Sequence, residues 1–470
     1  MRIVVSGSLI DVWSGDHGSS LRFAKARPRR LDLQNLTSHN SRPQPTFRIV
    51  LAGAIGNVLE WYDFGLYGLL APALASLFFP GSDRIAGLVG AYGGFAAGFA
   101  MRPLGAVVFG HLGDRIGRRF VLTLSVLLMG LSTTAVGILP TYRAVGVWAP
   151  VLLITVRLFQ GFSVGGEFVD SVTYLVESAS PSRRGIAGSV ANLGSTAGML
   201  LAAAVAAGIA SVANRTLLLT WVWRIPFLFG GAIASAAYLL RRRLPEIPCE
   251  FGERSRTGRE APLRQAFREQ PWIILAALLF TSGYGIVDYL TMVLLPTYAH
   301  EFARISEQEV LRINTAGQAI ALFIVPAAGW VSDRIWTRRA MLVTAFIAEG
   351  LVSLEAFHLV ERHGTAGLWL AQLGFAFLLA IIMGTAPAML AEQFPADYRV
   401  SAHAVPFNIG IGIAGGTAPM IAMELIRATS DTMAPAVYLI FAALLAAAGA
   451  FALDGCSRKT CNEKGAATAL

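Results

Sequence analysis

Glu60 and Asp63 stand three residues apart inside Phe47 to Phe79, a run whose only other charge is Arg48. An ionised side chain at bilayer depth costs about 2.5–3.5 kcal/mol on insertion scales, so charge there needs a purpose. On a helix the two acids share one face. They read as a buried protonatable site, with an interfacial helix of snorkelling acids as the alternative. Arg157 sits within a second apolar run, Val151 to Phe168. Its guanidinium stays charged at any working pH and grips carboxylates bidentately, which suits an anionic or zwitterionic substrate. The competing role is an internal ion pair with Glu60 or Asp63, and the two roles can alternate if protonation of an acid releases the arginine. Glu167 and Asp170 repeat the spacing of three lower on the same run and are candidates for proton relay. Trp61 and Tyr62 beside the first acids suggest a cation–π wall. Asp288, with Tyr284, Tyr289, Tyr298 and Pro296 nearby, marks a helix that bends and lines a cavity.

The elements that must carry these groups are membrane spans. Of 470 residues, 55% are hydrophobic and only 14% charged, with a mean hydropathy of +0.58, which excludes ordinary soluble classes. Twelve apolar runs are long enough to cross a bilayer or nearly so: 47–79, 85–109, 120–140, 148–176, 186–212, 217–240, 271–299, 312–331, 340–360, 365–390, 402–426 and 433–453. The net charge of +9 does not point to nucleic acid, because most of the 38 Lys and Arg fall on one side of these runs. Clusters such as Arg241 to Arg243 follow the positive-inside rule and place both termini in the cytoplasm. Cys249, Cys456 and Cys461 all lie in segments expected to be cytoplasmic, with neither a disulfide framework nor a metal spacing.

Residues 1–46 are polar and basic and are expected to be disordered, with a later translation start as the alternative. A first six-helix bundle spans 47–240, a cytoplasmic loop 241–270, a second bundle 271–453 and a cytoplasmic tail 454–470. The halves are duplicated. Gly110-His111-Leu112-Gly113-Asp114-Arg115-Ile116-Gly117-Arg118-Arg119 after span two is echoed by Gly329 to Arg339 after span eight, with Asp333 and Arg334 at the matching places. Glu177 precedes Arg184 by the same interval as Glu392 precedes Arg399. Such repeats are characteristic of secondary transporters.

The loop at 110–119 resembles the signature of the major facilitator superfamily. Gly56-Asn57 with Glu60-Trp61-Tyr62-Asp63-Phe64, Arg102-Pro103-Leu104-Gly105, Arg157 to Glu167 and Trp223-Arg224-Ile225-Pro226-Phe227 resemble, more narrowly, the metabolite:proton symporters. The resemblance implies an all-α membrane fold of two pseudo-symmetric six-helix bundles that rock about a central site. It also implies gating by Gly110, Gly113, Asp114, Arg115, Gly117 and Arg118, with Asp333 and Arg334 in the echo and Arg102, Glu177 and Arg184 near them. Asp114 would hold the gate by charge-assisted bonds or at a helix N-terminus. Asp170 departs from the pattern, and an added acid there suits a cationic amine or quaternary ammonium, or balances Arg102. The leading expectation is proton symport of a small organic acid such as α-ketoglutarate or citrate across a bacterial-type inner membrane. A zwitterion such as proline or betaine is the alternative, with a non-transporting sensor as the reading from another class. The proton is the coupling ion, with no other cofactor. A small solute and the bilayer are the partners, without nucleic acid, and the chain is expected to be a monomer. No nucleotide loop, metal cluster or nucleophile–base set marks an enzyme.

Overall fold

The computed structural model describes residues 2–5, 8–11, 47–116, 118–164, 167–241, 262–395 and 398–467. The chain divides into two units, 1–44 and 45–470. In the first, β1 (Arg2–Val5) pairs antiparallel with β2 (Ser8–Asp11), Arg2 opposite Asp11. This hairpin departs from the disorder expected there. Ile3, Val4, Val5 and Ile10 are β-branched and favour an extended pair despite the basic residues that follow. The rest of the expected disordered segment lies outside the described residues.

The second unit holds twelve helical rods among the described residues. The first half comprises α1 (Phe47–Leu69, continued by Ala71–Phe78), α2 (Arg84–Ala100, continued by Arg102–Ile116) and α3 (Arg118–Ile138). It is completed by α4 (Trp148–Ser163, continued by Glu167–Ser178), α5 (Arg184–Val212) and α6 (Arg215–Leu217, Leu218–Val222 and Arg224–Arg241). The second half opens with α7 (Pro271–Tyr289, Leu290–Leu294 and Leu295–Glu301) and α8 (Glu307–Arg334). The long helix Arg338–Gln393 breaks at Gly364 (φ 55°), a backbone turn that glycine tolerates, into α9 (338–363) and α10 (365–393). Last come α11 (Arg399–Phe407, Asn408–Gly415 and Gly416–Thr429) and α12 (Ala434–Ala467), which carries helix into the expected tail. Among the described residues, eight stretches are long and apolar enough to cross a membrane by length and composition alone, and Arg338–Gln393 is one stretch holding both α9 and α10.

Local chemistry sets the ends. Asp83 Oδ1 accepts from the amides of Ile85 and Ala86 to start α2, and Ser306 and Thr337 cap α8 and α9 in the same way. Large apolar side chains point outward, Val107, Phe323 and Leu351 being 71%, 77% and 78% exposed, as lipid-facing positions require. The two halves meet where α5 packs on α8 and α10, and where α2 packs on α11. Within the first half, α2 and α4 approach to backbone contact: a Cβ on Gly161 would lie 1.5 Å from the carbonyl oxygen of Gly98. That closeness, which only small residues allow, delivers Arg157 to the interior.

Candidate substrate and proton site

Among the described residues, two ion pairs are buried in the first half. Arg157 Nη1 donates to Asp63 Oδ2 at 3.0 Å, the two side chains being 0% and 1% exposed. Thr133 donates to the other oxygen of Asp63 at 2.9 Å, Gln160 accepts from Arg157 Nη1 at 2.7 Å, and Gln160 Nε2 donates to Thr133 at 3.0 Å, closing a ring of four side chains. The guanidinium stacks against Phe64 and Tyr67 at 5.0 and 4.4 Å. Glu60 pairs separately with Arg102 at 2.8 Å, so the two acids expected to work as one site have different partners. Both arginines lie near the Phe64 ring, Arg157 at 5.0 Å and Arg102 at 5.8 Å from its centre.

A central cavity lies between the halves, lined by Trp61 of α1, Phe168 of α4, Asn192 of α5, Tyr284 and Asp288 of α7, Met383, Ala386, Pro387 and Leu390 of α10, and His403, Phe407 and Ile411 of α11. About 10 Å³ is open to the centre of a water-sized sphere, room for about one water, so the site is occluded. Asp288 is buried here with no cationic side chain at ion-pair distance among the described residues. His403 is 1% exposed, and neither ring nitrogen has a partner among the described residues. Trp61 stacks on Tyr289 across the halves. Just behind α7, Glu349 of α9 is fully buried with both oxygens unpartnered among the described residues.

Both ends of the passage are closed. On the face that carries residue 333, Asp333 accepts from the first amides of α5, Gly185 at 2.7 Å and Ile186 at 3.0 Å, an acid seated at a helix N-terminus. Arg338 joins Asp333 to Glu392, at 2.7 Å from each. Glu177 pairs with Arg399, and Arg184 lies 3.9 Å from Glu392. On the opposite face Arg84 pairs with Glu301 at 2.6 Å, Arg427 pairs with Asp83 at 3.0 Å, and Tyr92 and Thr297 share a hydrogen bond of 2.7 Å. The amide of Ala86, and then Arg427, hold the Asp83 carboxyl below its usual range. A depressed carboxyl supports its pairing above its unfolded pKa and loses that support as pH falls through the folded one, so this lock is complete at neutral pH.

Residues 53–405 match the family model of the Major Facilitator Superfamily. The chain belongs to this superfamily. It is 33% identical over 408 residues to the proline/betaine transporter of Salmonella typhimurium, covering 85% of this chain and 81% of the relative. It is likewise 31% identical over 403 residues to a putative proline/betaine transporter of Staphylococcus haemolyticus, covering 84% and 85%. A crystal structure of a D-xylose-proton symporter superposes with a TM-score of 0.70 at 18% identity, over 85% of this chain and 96% of that one, which establishes the shared fold. As a member of the major facilitator superfamily, the protein is a multi-pass secondary transporter and not an enzyme.

Against the residues expected from sequence, this major facilitator chain places Asp288 and Tyr284 in the cavity and Glu60 and Asp63 in the interior. Five expectations change. Tyr62 turns away from the cavity, donating to the carbonyl of Pro226 at 2.7 Å and packing edge-on against Phe229, because its face of α1 meets α6. Arg157 is held by Asp63 and does not line the cavity. Arg102 is a buried partner of Glu60 rather than a gate charge, and Asp170 is exposed rather than part of a buried relay. Arg334 lies over Trp330 at 5.2 Å, leaving Arg338 to bond Asp333. Gly117 and the side chains at 110, 113–115, 118 and 167 lie outside the described residues, so the expectations for Gly110, Gly113, Asp114, Arg115, Arg118 and Glu167 lie there too. Sequence reasoning missed His403 and the opposite-face lock. A lone histidine inside span eleven was the available signal for the first; the second joins residues hundreds of positions apart and left none.

The loop-face closure depends on Gly185, whose added Cβ would sit 2.3 Å from Ser332 Oγ and 2.5 Å from the carbonyl of Gly329. Overpacking of this kind costs about 1–3 kcal/mol. Gly185→Leu is therefore expected to shift the population toward an open loop face by about tenfold or more. Spin labels at Arg183→Cys and Arg334→Cys would report a longer mean distance; an unchanged distribution would overturn the assignment.

Proposed function

We propose that this transporter moves a zwitterionic solute of the proline or betaine kind, together with a proton, across a bacterial cytoplasmic membrane. The observation that carries the reading is the cavity itself: among the described residues it has one buried acid, Asp288, with Trp61, Phe168, Tyr284 and Phe407, and no Arg or Lys in its lining. Aromatic faces and a desolvated carboxylate suit a quaternary or secondary ammonium. A di- or tricarboxylate would need a guanidinium or ammonium in the cavity, and Arg157 is already committed to Asp63. The relatives named as proline/betaine transporters support the same choice over the organic-acid reading.

The cycle follows from the two locks. With the opposite face open, solute and proton enter. The cavity, contracted in this structure to room for about one water, widens to admit the solute and closes around it, and the Asp333, Glu177 and Arg184 contacts then break to open the loop face toward the cytoplasm. Asp63 carries the proton: once neutral, it no longer holds Arg157, and α1 and α4 are free to change their packing. In proteoliposomes, labelled betaine or proline uptake is expected to rise with an inward proton gradient and to collapse with a protonophore. Citrate and α-ketoglutarate should fail to compete. Gradient-independent uptake would sink the coupling, and strong inhibition by citrate would restore the organic-acid reading.

A further inference from the structure

We propose that His403 is a substrate ligand that donates a ring N–H to the carboxylate of the solute, opposite the ammonium end held by Asp288 and the aromatic rings. The assignment rests on the zwitterion reading and adds to it the half of the solute that the cavity otherwise leaves unserved. A carboxylate taken out of water must find donors, since burying it bare is prohibitively expensive. The lining residues with polar side chains are few. Asn192 spends its amide nitrogen on the carbonyl of Met383 at 2.6 Å, the Tyr284 hydroxyl is engaged with Asn192, and Asp288 is an acceptor when ionised. His403 alone of these presents a whole polar ring, 1% exposed, with both nitrogens unpartnered among the described residues.

The fold explains how the ring reaches the site. His403 lies on the first segment of α11, one turn before Phe407, against which it packs edge-on at 6.0 Å, and Phe407 in turn stacks on Phe168 at 4.7 Å. The imidazole is thus fixed by a rigid neighbour while its nitrogens stay uncommitted. A neutral ring always carries one N–H, so it can donate at neutral pH in either tautomer. The indole N–H of Trp61, also buried and unpartnered among the described residues, is placed on the same cavity to give a second bond. Placing the donors on α11 and α1 and the acceptor on α7 makes the solute itself bridge the two halves, which favours closure around a zwitterion over closure around a simple cation.

The test is equilibrium binding of labelled betaine to purified full-length protein, with choline as the probe that keeps the quaternary ammonium and lacks the carboxylate. His403→Leu is expected to weaken betaine binding at least tenfold while choline affinity moves less than twofold. His403→Gln, which retains an N–H donor, should stay within about threefold of the parent for betaine. Thermal melting curves within a few degrees of the parent establish that both variants are folded. Betaine affinity unchanged in His403→Leu, equal losses for betaine and choline, or a Gln variant as weak as the Leu variant would each overturn the assignment and leave the zwitterion reading standing. A parent protein that binds neither betaine nor proline would overturn that reading and this ligand with it.

Discussion

Arg157→Ala is expected to abolish proton-driven accumulation and to lower the stability of the purified protein by about 3–5 kcal/mol, the usual cost of removing one partner from a buried ion pair. The geometry leaves little room for relief. Asp63 is 1% exposed, and the same guanidinium also satisfies Gln160, so the deletion strands an acid and loosens the ring of side chains that holds it. Double replacement of Arg157 and Asp63 by Ala should recover most of the stability while leaving accumulation absent, because the charge imbalance is gone but so is the protonatable group. Asp63→Asn separates the roles further. It mimics the protonated acid, keeping a carbonyl oxygen for Thr133 without the charge that holds Arg157, and it cannot titrate, so exchange of labelled for unlabelled solute should persist while accumulation against a gradient is lost. Thermal melting and paired uptake and exchange assays in proteoliposomes read all three outcomes. An Asp63→Asn protein that still concentrates solute would move the proton to another acid, and Glu60 beside Arg102 is the next candidate.

Asp288→Asn should act on binding instead of coupling, weakening betaine affinity by about 30-fold or more. Truncating one partner of a desolvated charge pair costs about 2–5 kcal/mol, and each 1.4 kcal/mol is a factor of ten. Among the described residues no other acid lines the cavity to take over, and Glu349, though close behind α7, is fully enclosed. Accumulation and exchange should therefore fall together in this variant, in contrast to Asp63→Asn, where only accumulation fails. Titration calorimetry with betaine measures the change; an affinity within threefold of the parent would remove Asp288 from the solute site.

The twelve rods, the duplication of the halves and the burial of charge at Glu60, Asp63, Arg157 and Asp288 were all legible in the sequence. Crossing a bilayer demands about 20 apolar residues, and a charge inside such a run stands out against its energetic background whatever its partner. Periodicity also placed Glu60 and Asp63 on one face of α1. It did not say which neighbours that face meets. The helices rotate about their own axes to satisfy packing, and the outcome gave Asp63 to α4, Glu60 to α2 and Tyr62 to α6.

The repeated pairs show the same division. Each half carries a glutamate and an arginine at a shared interval, which signals duplication, but the charges pair across the halves, Glu177 with Arg399 and Arg184 beside Glu392. Spacing along a chain cannot show an exchange that depends on docking two bundles. His403 was likewise one histidine among several until the approach of α1, α4, α5, α7, α10 and α11 left its ring in a cavity with no partner among the described residues. Sequence by itself determined that this is a two-bundle membrane transporter and which charges demand an explanation, because hydrophobic length and the cost of buried charge are local properties. Only the tertiary structure decided which charges pair across the halves, which pair stands apart from the cavity and which groups line it, because those follow from how helices distant in the chain are turned toward one another.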